Sequence, residues 1–365
     1  MAQTTGGMTA IYEPGSRGAP SARAALRVTL VAMKTMMQGC APIFCMALLQ
    51  GCGGGGGGGK PPVAQEPPPA NSRPPLRLDA SNYQTVLRVS IGSTLSAFSY
   101  VKLGGDMADN LFELPIPGNL SALLCVEGGW TLLNIGDRNL DGFFNVGDYV
   151  TQSYDHCKNL GATIDGIIRI ELQGVTPKDG GREIEVWVTV ANFSVTASGT
   201  ATGPTGITFS GPARYSHAPA YLQFKIGGAS FGSTHVAGTE QASALVVDYL
   251  QRQDSGTYSL SFGGNIDSGV FGGTFDFVTS APFTGTIGQY PSTGRLIAIG
   301  GAGSSARLSE EGAAANNAET VLLSVDANGD GSADAAASEF AWTGVVPRQM
   351  FDPFVNRVVV RPPAP

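Results

Sequence analysis

The chain has 365 residues, 51 of them Gly and 23 Pro, with 14% charged and 42% hydrophobic residues. So much Gly excludes an ordinary helical protein, and the hydrophobic share excludes a wholly disordered one. A formal net charge of −7, with Lys and Arg scattered, excludes nucleic acid as a partner, because phosphate binding needs a basic face.

Residues 1–32 carry Arg17, Arg23 and Arg27 and make an overlong basic leader, so translation is expected to start at Met33. From there Lys34 precedes the apolar stretch Ala41–Leu49, which is too short to span a bilayer as a mature helix. Leu49-Gln50-Gly51-Cys52 then resembles the bacterial lipobox, with Gln50 a less usual occupant of its position. The resemblance implies a signal peptide over 33–51, cleavage before Cys52 and diacylation (palmitate-type) of its thiol. Two acyl chains give stable membrane anchoring where one is marginal. Gly53 stands where Asp is associated with inner-membrane retention, which by the same resemblance points to the outer membrane. Loss of residues 1–51, with four basic residues and one acid, leaves a more acidic mature chain.

Residues 52–75 form a Gly- and Pro-rich tether. Gly53–Gly59 is flexible coil, and the Pro-rich run after it leans to polyproline II. A single β-rich domain is expected over 76–362. Its first element is a helix over about 81–100, with Asp79 or Ser81 as cap. Tyr83, Leu87, Ile91, Leu95 and Phe98 recur at helical spacing on one face. After it the pattern turns to strands, including Leu120–Val126, Trp130–Ile135, Ile164–Leu172, Glu183–Val195 and Tyr221–Ile226. Further strands are Tyr258–Phe262, Gly272–Val278, Arg295–Ile299, Thr320–Val325 and Glu339–Val345. Ile184, Val186, Val188 and Val190 alternate with Glu183, Glu185, Trp187 and Thr189, as in a half-buried strand. Ser243–Gln251 competes as a second helix. The expected fold is mainly β: an antiparallel meander, a sandwich or a curved sheet, with one N-terminal helix.

Five cysteines close without remainder. Cys40 and Cys45 leave with the signal peptide and Cys52 is acylated. Cys125 and Cys157 remain to form a disulfide in an oxidising compartment. Between them, Asp137, Asn139, Asp141 and Gly142 occupy positions 1, 3, 5 and 6 of a calcium-loop spacing. Phe143 stands at the backbone-carbonyl position, Asn145 at 9 and Asp148 at 12. Asp326, Asn328, Asp330, Gly331 and Asp334 repeat the pattern, with Ala337 at position 12. Calcium is the cofactor these loops suggest. The alternative is that Asp-Gly and Asn-Gly here simply make good hairpin turns.

Three strings, Cys125 to Cys157, Pro291 to Gly300 and Asp326 to Asp334, together resemble uncharacterised proteobacterial envelope lipoproteins with polyglycine after the lipid cysteine. The resemblance covers about a third of the mature chain. It implies a lipid-anchored β-rich body and brings no activity.

Little else carries chemistry. Gly228-Ala229-Ser230-Phe231-Gly232 matches G-x-S-x-G, but no helix pattern opens after Ser230. His156, His217 and His235 share no metal-ligand spacing. The expected role is a non-enzymatic structural or interaction one at the cell envelope, on a side of the membrane that the sequence leaves open. A carrier of an apolar ligand or lipid, and a serine hydrolase using Ser230, are the alternatives.

Overall fold

The computed structural model describes residues 73–112, 116, 121–159, 162–197, 206–235, 238–310, 319–334 and 337–346. Cys52, the expected signal peptide and nearly all of the expected tether lie outside them. The chain begins with an extended strap, residues 73–78, and continues into one long helix, α1 (Tyr83–Leu111). The helix is longer at its C-terminal end than the apolar spacing suggests. At its start Asp79 organises a tight turn, accepting the Ser81 amide at 2.8 Å and hydroxyl at 2.6 Å, while its carbonyl accepts the Tyr83 amide at 3.1 Å.

Fourteen strands follow in one antiparallel sheet, in which each strand pairs with the one before it. They are β1 (Ser121–Leu124), β2 (Trp130–Gly136), β3 (Tyr149–Asn159), β4 (Ala162–Lys178) and β5 (Gly181–Ala197). Next come β6 (Gly206–Ala218), β7 (Tyr221–His235), β8 (Gly238–Arg252), β9 (Thr257–Ser268) and β10 (Gly273–Thr286). The last four are β11 (Thr293–Ile299), β12 (Ser305–Ser309), β13 (Thr320–Asp326) and β14 (Ser338–Ala341). Among the described residues β1 and β14 do not pair, so the sheet is open. It curls around α1, which packs on β4–β8 and again on β11–β13. Val86, Leu87, Ile91, Leu95 and Val101 of the helix are buried in one core with Ile168, Val188, Phe224, Leu296 and Leu323 of the sheet.

The segment Ser243–Gln251 is strand and not helix. It belongs to β8, whose inward residues are Ala242, Leu245, Val247 and Tyr249. One three-residue step among two-residue steps marks a β-bulge, with Ala244 at φ +50°. The bulge recurs in each strand from β3 to β7. Positive φ falls at His156 in β3, Gly166 in β4, Asn192 in β5, Gly211 in β6 and Gly228 in β7. The pairing register slips at each of these points. A transverse crease therefore crosses six consecutive strands. Side chains are excluded where these strands approach most closely: a Cβ at Gly166 would lie 2.4 Å from the Asn192 carbonyl, and one at Gly211 2.5 Å from the Ala229 Cβ. In β5 the inward set passes from Ile184, Val186, Val188 and Val190 to Phe193 and Val195, changing parity at the crease.

Because connections in a strict meander alternate between ends, the turns divide between two rims. The strap lies at one. Leu76 donates its amide to Thr274 O (2.7 Å) and accepts from Gly301 (2.7 Å), and the Leu78 amide meets Ser304 Oγ (2.9 Å). The β1–β2, β3–β4, β9–β10, β11–β12 and β13–β14 connections share this strap rim. The opposite, far rim carries the β2–β3 and β4–β5 connections. Helix α1 runs from one rim to the other: beyond its C-terminus Phe112 lies under the Arg182 guanidinium (4.0 Å), and the Ile116 amide bonds Gly142 O (2.8 Å).

Candidate functional site

Both acidic loops are hairpin connections with one shared hydrogen-bond scheme, built mainly from side chains that accept backbone amides. In the β2–β3 loop Asp137 accepts the amides of Leu140 (2.6 Å) and Gly142 (2.8 Å). In the β13–β14 loop Asp326 accepts those of Gly329 (2.7 Å) and Gly331 (2.8 Å). Asn139 and Asn328 each accept the amide two residues on, from Asp141 (3.2 Å) and Asp330 (2.8 Å). Asp141 and Asp330 do the same for Phe143 (2.9 Å) and Ser332 (2.8 Å). The fourth and sixth residues of both loops are left-handed: Leu140 at φ +59° and Gly142 at +81°, Gly329 at +78° and Gly331 at +89°.

The loops close differently. Asp148, fully buried, accepts the amides of Arg138 and Asn145, both at 2.8 Å. The second loop has no carboxylate at its twelfth place, and Asp334 at the ninth substitutes, capping the Ala327 amide and accepting Asn328 Nδ2 at 2.9 Å. Asn145 receives the matching bond from Asn139 Nδ2 at 2.9 Å. The first loop sits on the far rim. The second sits on the strap rim, where Arg77 Nε of the strap donates to Ala327 O at 3.2 Å.

Each loop gathers carboxylate, amide and carbonyl oxygens of the type hard divalent cations take. In the first loop, though, Asn139 Nδ2 and Asn145 Nδ2 both donate to Asp141 Oδ2, at 3.1 and 2.5 Å. A cation there requires both amides to turn their oxygens inward.

Cys125 and Cys157 are bonded, with Cα atoms 5.4 Å apart, tying the β1–β2 hairpin to the end of β3. Beside the bridge on the strap rim is a group that the spacing of the histidines did not suggest. His156 Nδ1 lies 2.7 Å from Asp155 and 3.6 Å from Asp165, across the β3–β4 pairing. The hydrogen bond with Asp155, with the Asp165 charge behind it, holds this exposed imidazole above its ordinary pKa. Only the fold brings Asp165 to it, through the bulge at His156, whose own amide bonds Asp165 at 2.7 Å.

Ser230 stands inside β7, next to the crease glycine Gly228, and not on a strand-to-helix elbow. Its hydroxyl donates to Ser210 O at 3.4 Å. His235 lies five residues along the same strand, about 16 Å away.

Two acids are buried at opposite ends of the sheet. Glu240 is 4% exposed; its Oε1 accepts the Ser268 hydroxyl at 2.8 Å, and its Oε2 has no hydrogen-bond partner among the described residues. Burial pushes its carboxyl up to about 7. Arg73 of the strap pairs with the adjacent Asp267. On the far-rim side burial likewise pushes Glu310 up to about 7, against the Trp342 indole N–H that bonds it.

Comparison with protein-family models, with curated proteins and with solved structures finds no match. No helix among the described residues is long and apolar enough to cross a membrane.

Proposed function

We propose that the protein is a lipid-anchored cell-envelope scaffold, held through Cys52 and a flexible tether, whose creased β body presents an interaction surface. The supporting observation is the strap. Residues 73–78 are stitched to the sheet at one rim by the Arg73–Asp267 pair, the Leu76 amide and carbonyl bonds and the Leu78–Ser304 bond. A tether arriving there holds the body by one end and turns the far rim outward. Val86, Leu87, Ile91, Leu95 and Val101 of α1 pack into one core with the sheet, which supports a scaffold over a carrier of apolar ligands. The test is metabolic labelling of the full chain with a palmitate analogue in a Gram-negative host. Label on the wild type and none on Cys52→Ala is expected; equal labelling, or none on either, overturns the reading.

Calcium in the acidic loops is a second, separable reading. It is favoured by the repetition of one donor arrangement in two loops that share no neighbouring residues in sequence. A thermal melt indifferent to both millimolar calcium and EDTA removes it.

A further inference from the structure

The far-rim loop carries a second layer of information that its hydrogen bonds do not require. Phe144 and Asp148 point inward and are buried. Leu140, Phe143 and Val146 point out, with exposures of 85%, 50% and 49%. Three large apolar residues thus face solvent within seven positions of one loop. Leu140 is the most telling, because it occupies the left-handed fourth place at φ +59°, where the equivalent position of the strap-rim loop is Gly329. A leucine there is unfavourable twice over, in backbone conformation and in exposed apolar surface, and the fold gains no contact from it.

The surroundings say what would cover such a tip. Arg138 is committed to Glu171 by two hydrogen bonds, at 3.1 and 3.3 Å. Glu171 is shared with Arg169 (3.3 Å), so the tip is apolar at its centre, with the carboxylates of Asp137 and Asp141 beside it and no cation paired to either among the described residues. The eight-residue stretch Asp141–Asp148 is held in place by Phe144 and by the Asp148 bonds, so little ordering is needed on binding.

We infer that the Leu140–Val146 tip is a docking surface for a cationic amphipathic segment of another protein, its apolar face on Leu140, Phe143 and Val146 and its Lys or Arg side chains beside Asp137 and Asp141. This rests on the proposed anchoring for its orientation only, since the tip itself needs no lipid.

The test uses the full chain carrying Cys52→Ser, free of detergent and in EDTA so that no cation neutralises Asp137 and Asp141, and a dye-labelled Leu/Lys peptide with one apolar and one cationic face. A Lys/Ser peptide of equal charge serves as control. The expected result is saturable binding, weakened about tenfold or more by Leu140→Gly and by Phe143→Ser, and about tenfold weaker for the control peptide. Photo-crosslinks should fall within residues 138–147. Leu140→Gly should also melt no lower than the parent, which separates lost docking from lost folding. Three results overturn the inference: binding indifferent to both substitutions, equal binding of the control peptide, and tip-dependent association with lipid vesicles or a second copy in place of the peptide. Failure of palmitate labelling would leave this binding intact, so the two readings fail separately.

Discussion

The two acidic loops, 137–148 and 326–334, share the amide bonds accepted at their first, third and fifth positions and a left-handed fourth and sixth residue, yet they sit on opposite rims and divide burial in opposite ways. On the far rim the opening acid, Asp137, is half-buried and the closing acid, Asp148, is fully buried. On the strap rim the opening acid, Asp326, is buried and the closing acid, Asp334, is exposed. Local sequence thus dictates the turn, and the sheet decides which carboxylate carries it. The difference extends to what each loop shows the outside: Leu140, Phe143 and Val146 on one, only small residues and the strap contact on the other.

The comparison breaks most sharply at the closing acids. Asp148→Ala empties a buried site and strands the Arg138 and Asn145 amides, and should lower stability by about 3 kcal/mol, against about 1 kcal/mol for Asp334→Ala. Urea unfolding giving equal losses would show that burial does not divide the loops. The fourth position comes next. Gly329→Leu should lose about 2 kcal/mol, because a Cβ there meets Ala302 O at 2.9 Å and Gly303 at 3.0 Å. Leu140→Gly should gain about 1 kcal/mol by relaxing the left-handed backbone, and a loss instead would mean that Leu140 packs in solution.

A smaller, pH-dependent effect concerns the strap rim. Glu240 has a folded pKa of about 7, above its unfolded value, so the folded state holds an extra proton between roughly pH 4.5 and 7. Stability falls as pH rises through that window. Glu240→Gln keeps the acceptor for Ser268 and should therefore gain about 1–2 kcal/mol at pH 8 and nearly nothing at pH 4. Denaturation midpoints that track the wild type at both pH values would place the titrating group elsewhere. The smallest effect is ionic. Calcium at millimolar concentration should add about 1 kcal/mol to a site of about 10⁻⁴ M, and more to the loop closed by Asp148 than to the one without a twelfth carboxylate. Calorimetry on Asp137→Ala and Asp326→Ala assigns the heat to one rim or the other.

Much of this architecture is legible in the chain. The helix announces itself through Tyr83, Leu87, Ile91 and Leu95, and β5 through the strict alternation from Ile184 to Val190. The two loops are readable from Asp-x-Asn-x-Asp-Gly alone. The crease is what hides the rest. An extra residue in β8 makes Ala242 to Leu245 a helical step, so Ser243–Gln251 reads as helix. Gly227-Gly228 reads as the end of a strand at Ile226, where β7 in fact continues to His235. β6, with Gly211-Pro212 at its middle, has no counterpart among the strands expected from the sequence. Much of the glycine in the body thus serves close approach between strands as well as turns. The twelfth position of the second loop was misleading for a different reason: spacing marks Ala337 as a missing ligand, whereas Asp334, three residues earlier, already caps the amide that Asp148 partly serves in the other loop. The Asp155–His156–Asp165 group was invisible because pairing across a bulge, not spacing along the chain, creates it.

Strand order has a consequence for how the body is made. Every strand pairs with its predecessor, so the sheet can grow one hairpin at a time as the chain emerges, with short loop closures throughout. The strap, like α1 after it, is an exception. It is synthesised first and its partners last: Asp267, Thr274, Gly301, Ser304 and Ala327 lie some two hundred residues downstream. The nascent chain therefore zips forward from its own beginning and seals only when β9 to β13 return to the strap. A chain cut before β9 keeps its local hairpins but leaves the strap without its clasp.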